Sequence, residues 1–253
     1  MDDRPAFYDF FAGIGLVRLG LEPEWRCLWA NDIDPKKAEI YAANFGGDAF
    51  RLGDIADVRG SELPGHADLA WACFPCQDLS PAGPRLGMRG PRSRVFWEFI
   101  RVLKELAAEG RRPPLVVIEN VAALLRPESL APVCKALIGL GLRPGALLID
   151  ARWLLPQSRP RAFVVAAEPG LADAARARGL AADGPDPFSP WTPPRLLRAF
   201  EALPRRLREK WVWWRLPPPP ERRPSLADLL ELEEAPEDAP WHPPEETRRL
   251  LRM

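Results

Sequence analysis

Along residues 6–167, short apolar runs alternate with amphipathic stretches. Ala6-Phe7-Tyr8-Asp9-Phe10-Phe11-Ala12 reads as a buried strand, followed by a glycine turn and a helix over about 16–20. Arg26-Cys27-Leu28-Trp29-Ala30 predicts a second strand. Asp34 to Asn44 predicts a helix with Ala38, Tyr41 and Ala42 on one face. Ala67 to Phe74 is a strand by the same pattern, and Val95 to Ala108 an amphipathic helix. Leu115-Val116-Val117-Ile118 is a fully apolar strand, and Leu130 to Leu140 a further helix. Leu147-Leu148-Ile149 and Ala162-Phe163-Val164-Val165-Ala166 have no helical pattern between them and predict a hairpin. Strands alternating with helices in this way imply an α/β fold. The expected architecture is a doubly wound, mostly parallel sheet with an antiparallel edge.

Beyond about residue 170 the pattern breaks. Prolines cluster at 185, 187, 190, 193 and 194 and again over 217–220. Trp211, Trp213 and Trp214 predict one short helix whose indoles pack onto the main domain. An acidic stretch holds Glu231, Glu233, Glu234, Glu237 and Asp238. Residues 1–170 are thus expected to form the α/β domain, and 171–253 an irregular extension with short helices. The final residues, Thr247 to Met253, read as a helix without a stop signal. Leu250, Leu251 and Met253, with Trp241 upstream, form an apolar face that predicts an interface.

The 35 basic and 35 acidic residues cancel, so any nucleic-acid contact must come from local basic patches. Cys73 and Cys76 are spaced C-x-x-C, but no matching Cys or His pair accompanies them, so no metal is expected. No segment reads as a signal peptide, and no apolar run is long enough to span a membrane. A cytoplasmic location is therefore expected, where thiols stay reduced.

Several segments carry candidate chemistry. Pro75-Cys76-Gln77 follows the apolar run Asp68 to Phe74, at a strand-to-loop junction where α/β folds place reactive groups. Phe11-Ala12-Gly13-Ile14-Gly15 follows a strand and opens a helix, so a ligand can approach its backbone. Asp32 ends the next strand, where a carboxylate suits ribose hydroxyls, with Asp34 as rival ligand or helix N-cap. Asp54 follows the segment after that, placed for an adenine amino group. Together these favour an adenosine ligand. Glu119 ends an apolar strand, where a partly desolvated carboxyl suits proton donation. Arg159 and Arg161 alternate on an incoming strand and share a face, with Gln157 and Ser80 as supporting polar groups. Ser80 to Arg94 is a loop with Gly83, Gly87 and Gly90 among Arg85, Arg89, Arg92 and Arg94.

Asp9 to Gly15, Pro75-Cys76-Gln77, Glu119-Asn120-Val121 and Gln157-Ser158-Arg159-Pro160-Arg161, in that order, resemble the DNA (cytosine-5)-methyltransferase family. The resemblance covers about residues 6–167. It implies a Rossmann-like fold that uses S-adenosylmethionine and releases S-adenosylhomocysteine. It puts the cofactor on Phe11, Ala12, Gly13, Ile14, Gly15, Asp32, Ile33, Asp54, Ile55 and Pro75. The implied substrate is double-stranded DNA with a flipped cytosine. Cys76 adds to C6 and Glu119 protonates N3. One of Arg159 and Arg161 binds O2, and the other approaches Cys76 or a phosphate. The Ser80–Arg94 loop closes over the base.

The chain departs from the family pattern at Leu16, where a glycine is usual. Neither a target-recognition region nor the last Gly-Asn-Ser/Val motif is found, and residues 185–253 resemble the connector toward that region. The expectation is a catalytic half, completed by a longer chain or a second polypeptide. Alternatives are a tRNA methyltransferase, although that branch's Cys-Phe-Thr signature is absent, a non-catalytic partner, and a small-molecule methyltransferase.

Overall fold

A computed structural model describes residues 2–75, 94–229 and 243–250. Among them a seven-stranded sheet runs in the order β3-β2-β1-β4-β5-β7-β6. Strands β1 (Ala6–Phe10), β2 (Arg26–Asp32), β3 (Phe50–Leu52), β4 (Leu69–Ala72) and β5 (Leu115–Val121) are parallel. Strand β7 (Pro160–Ala167) lies antiparallel between β5 and β6 (Arg143–Asp150), so β6 and β7 are the expected hairpin. The chain moves outward from β1 to β3, then returns to β4 and continues the other way. The carboxyl ends of β1 and β4 therefore flank a topological switch point, where open α/β sheets bind ligands.

All five residues of β1 are buried, because helices cover both faces of the sheet. Tyr8 and Phe10 pack toward α3 (Arg94–Ala108), while Phe7 joins Tyr41 of α2 (Pro35–Phe45) on the other face. This is the period of two expected of a strand. On α2 the buried position is Tyr41, backed by Phe45; Ala42 is exposed, contrary to the face read from the sequence. Short helix α1 (Leu16–Leu21) follows the glycine turn, and α4 (Pro127–Gly139) follows β5.

Strand β5 runs three residues beyond the apolar tetrad. Glu119, Asn120 and Val121 stay in the ladder because β7 pairs with them, opposite Phe163, Ala162 and Arg161. Glu119 thus projects from within a paired strand.

The extension contains α5 (Pro169–Ala177), α6 (Pro194–Glu201), α7 (Arg205–Arg208) and α8 (Pro244–Leu250), the short helices expected there. The tryptophans do not share a helix. Trp213 and Trp214 form β9, which pairs with β8 (Ala181–Ala182). Trp211 and Trp213 are nonetheless buried in the main core, as anticipated. The segment is held against the main sheet by Val212 N, which donates to the Pro144 carbonyl of β6 at 2.9 Å, and by Trp214 Nε1, which donates to the Val165 carbonyl of β7 at 2.9 Å. Gly145 makes room: a Cβ there would lie 1.9 Å from the Val212 carbonyl oxygen. The acidic stretch, Trp241, Leu251 and Met253 lie outside the described residues.

Candidate active site

The turn after β1 is bound to the end of β2. Ala12 N donates to the Asn31 carbonyl at 2.8 Å. Gly13, at φ +59°, donates its N–H to Asp32 Oδ2 at 2.9 Å. The other Asp32 oxygen accepts from Asp34 N at 3.0 Å. Gly15 has φ +91°, and a Cβ there would meet the Phe45 ring at 2.4 Å, so glycine is required. Phe11 holds φ +60° without being glycine, a conformation that costs energy and recurs at ligand sites. Asp34 accepts from Lys36 N at 3.0 Å and caps α2, the second of the two roles open to it.

Beside this turn is a cavity of about 380 Å³ at the switch point, within the size range of small-molecule sites. Phe11, Asp32, Ile33, Asp54, Ile55 and Pro75 of the expected cofactor set line it. Ala12, Gly13, Ile14 and Gly15 shape the turn and are not lining residues. Asp54 also accepts from Ala56 N at 2.9 Å and so is fixed in place. Apolar walls from Phe11, Ile33 and Ile55 with two acceptor carboxylates, Asp32 and Asp54, fit a nucleoside, whose base is apolar on its faces and whose hydroxyl and amino groups donate. Sequence reasoning missed Lys37, which lines the same cavity with its Nζ 3.7 Å from Asp32 Oδ1 and 3.9 Å from Asp34 Oδ2. Its position one turn after the Asp34 cap was the available signal.

A second cluster adjoins the cavity. Arg161 Nε lies 2.9 Å from Glu119 Oε1, both side chains about one fifth exposed (21% and 22%). Arg161 also donates to the Pro160 carbonyl at 3.0 Å. Cys73 lines the cavity and faces Glu119. Burial, then the Glu119 charge, pushes its thiol well above the ordinary range, so Cys73 is no thiolate. Trp71 Nε1 points at its sulfur at 3.1 Å. Asn120 Nδ2 donates to the Phe74 carbonyl at 2.9 Å, tying the end of β5 to the residue before Pro75. Arg159 is exposed just before β7, and its N–H donates to Asp150 Oδ1 at 2.7 Å. Asp150, unremarked in the sequence, also accepts from Ser158 Oγ at 3.2 Å and so holds the whole turn after Gln157. Cys76, Gln77, Ser80 and the loop to Ser93 lie outside the described residues.

Asp9 is fully buried in β1, and neither carboxylate oxygen has a hydrogen-bond partner among the described residues. Burial, then the nearby Asp32 charge, raises its pKa to about 8 against the lowering effect of Arg18.

Residues 6–192 match the family model described as C-5 cytosine-specific DNA methylase. The chain belongs to that family. The match extends past the motif-bearing region into the extension as far as Trp191 and Thr192, both buried. Similar proteins include Type II methyltransferase M.BsuFI of Bacillus subtilis, 32% identical over 170 residues, 65% of this chain and 40% of that protein. Type II methyltransferase M.HhaI of Haemophilus parahaemolyticus is 36% identical over 116 residues, 46% of this chain and 33% of its own length. The chain thus spans less than half the length of these relatives. Among solved structures, S. pombe Dnmt2 methyltransferase superposes with a TM-score of 0.54 at 24% identity, covering 65% of this chain and 51% of that one. At that identity the likeness concerns the fold. Among the described residues no helix is long and apolar enough to cross a membrane, and no cluster of His, Cys, Asp and Glu suits a metal ion.

Proposed function

We propose that this chain carries the catalytic machinery for methylating C5 of cytosine in DNA. The observation that carries the reading is the convergence at one end of the sheet, past the carboxyl ends of β4 and β5, of the Glu119–Arg161 pair, Cys73 and the acid-lined cavity that ends at Pro75. Family membership supports it.

In this reading S-adenosylmethionine occupies the cavity and supplies the methyl group. Asp32 and Asp54 accept from its hydroxyl and amino groups, while Phe11, Ile33 and Ile55 flank its base. The sequence puts Cys76 directly after Pro75, and its thiolate adds to cytosine C6. That addition makes C5 nucleophilic. Glu119 holds the proton at N3 and Arg161 binds O2, so the ring is oriented and its developing charge stabilised. After methylation a base removes the C5 proton and the thiolate leaves, restoring the aromatic ring. Arg159, exposed just before β7, binds a phosphate in this reading.

The matched residues account for 40% of M.BsuFI. Target selection is therefore assigned to protein beyond the match, on a longer polypeptide or a second one. Leu16 and Leu19 on α1, 67% and 64% exposed beside the glycine turn, give such a segment apolar surface to cover.

The test is methyl transfer from labelled S-adenosylmethionine to duplex DNA and, in parallel, to tRNA. It is run on the 253-residue chain alone and with any partner segment. Label in DNA cytosine supports the reading; label confined to tRNA, or none under either condition, contradicts it.

A further inference from the structure

A smaller cleft of about 250 Å³ lies between the start of α4 and one side of α6, lined by Leu125, Arg126, Pro127, Arg195, Arg198 and Ala199. We propose that Arg126, Arg195 and Arg198 form a subsite for a backbone phosphate of the DNA. This rests on the reading of DNA as substrate and adds where the strand is held.

Three features support it. First, the cleft gathers three guanidiniums, and among the described residues none of them forms an ion pair. Most other arginines on the strands and helices are paired, for example Arg101 with Glu98 and Glu105. With 35 cations and 35 anions in the chain, three unpaired guanidiniums in one cleft are a local excess. Guanidinium forks match phosphate oxygens in geometry.

Second, helix stability does not explain Arg126. It stands at the N-cap of the 13-residue α4 and makes no side-chain capping bond. A cation at that end opposes the helix dipole, and only Glu128 in the first turn offsets it. An anion in the cleft is favoured by both the arginines and the helix end.

Third, the location fits. Arg195 donates to the Ala122 carbonyl at 3.0 Å, fixing α6 against the turn that leaves β5. Ala122 is three residues past Glu119 in the chain, so the cleft stands at the same end of the sheet as the Glu119–Arg161 pair.

The experiment is anisotropy of a labelled mixed-sequence duplex titrated with the 253-residue chain at several salt concentrations. Wild type is compared with R126Q/R195Q/R198Q and with a charge-matched control, K104Q/K135Q/R206Q, on the rim of a separate cleft between α3, α4 and α7. Each phosphate contact contributes about 0.9 to the slope of log K against log salt. The cleft variant is expected to lose about 1 from that slope, and the control to keep it. R126Q/R198Q, which spares the Arg195–Ala122 bond, is expected to lose about 1, covering the case that the triple variant unfolds. An unchanged slope in the cleft variants, or an equal loss in the control, overturns the subsite and leaves the DNA reading standing. Absence of salt-dependent DNA binding by wild type also overturns the subsite, while the DNA reading is judged by methyl transfer.

Discussion

Arg161 reaches across from β7 to Glu119 on β5, Nε to Oε1 at 2.9 Å, because the two antiparallel strands place Arg161 opposite Val121, two residues beyond Glu119. Same-face neighbours on adjacent strands are within reach of a long side chain. The pair is partly exposed, and its contribution to stability is expected to be about 1 kcal/mol or less. Glu119→Gln and Arg161→Gln are therefore predicted to leave the melting temperature nearly unchanged. Glu119→Gln is predicted to lower methyl transfer by roughly 10²–10⁴-fold, the range of a lost general acid, and Arg161→Gln by roughly 10²–10³-fold, the range of a lost charge-stabilising donor. Unfolding without the pair would assign it to structure instead.

Asp32 bridges two backbone N–H groups, those of Gly13 and Asp34. Asp32→Ala frees both and opens the turn beside the cavity. The expected outcome is a loss of about 2–3 kcal/mol in stability and at least about tenfold in S-adenosylmethionine affinity. Calorimetry at a temperature where both proteins are folded separates the two effects. Equal cofactor binding by the two proteins would remove Asp32 from the site.

Asp9 gives a pH dependence. Its folded pKa of about 8 lies above the 3.8 of an ordinary aspartate, so the folded protein holds a proton that the unfolded chain has released between those values. Stability from this group is complete below about pH 3.8 and falls as pH rises toward 8, where the buried carboxyl ionises. Asp9→Asn is predicted to flatten this descent and to be no less stable than wild type near pH 8. Denaturant unfolding across that range checks it; an unchanged pH slope in Asp9→Asn would show that Asp9 is ionised in the fold.

Gly145 is where β6 admits the extension. A Cβ there would approach the Val212 carbonyl at 1.9 Å and Trp214 Nε1 at 2.7 Å. Gly145→Ala is predicted to cost about 2–4 kcal/mol, since backbone must move to accommodate it. Near-UV circular dichroism should report loosened tryptophan packing. A wild-type spectrum and melting temperature would mean that residues 211–214 do not depend on this contact.

Much of the sheet was legible because its central strands are buried on both faces and so read as unbroken apolar runs, as Leu115 to Ile118 does. The continuation through Glu119 was not, because a polar residue is held in β5 only by its partner Phe163, far along the chain. The glycine turn and the acids Asp32 and Asp54 could be placed by spacing alone. Asp9, by contrast, without a hydrogen-bond partner among the described residues, sits in an otherwise apolar strand and shows its isolation only once β2 and β4 close around it. Trp211, Trp213 and Trp214 looked helical because they are clustered. The deciding constraint was the Pro144 carbonyl, which draws Val212 into an extended pairing.

The central claim is that Cys76 attacks cytosine. The direct measurement is covalent trapping on DNA containing 5-fluorocytosine in the presence of S-adenosylmethionine, with any partner segment included. Fluorine at C5 blocks the final proton loss, so the thioether between Cys76 and C6 should persist and be found by mass spectrometry. The account predicts a denaturant-stable adduct for wild type and none for Cys76→Ser. An adduct formed equally by Cys76→Ser, or one mapped to Cys73, would contradict it.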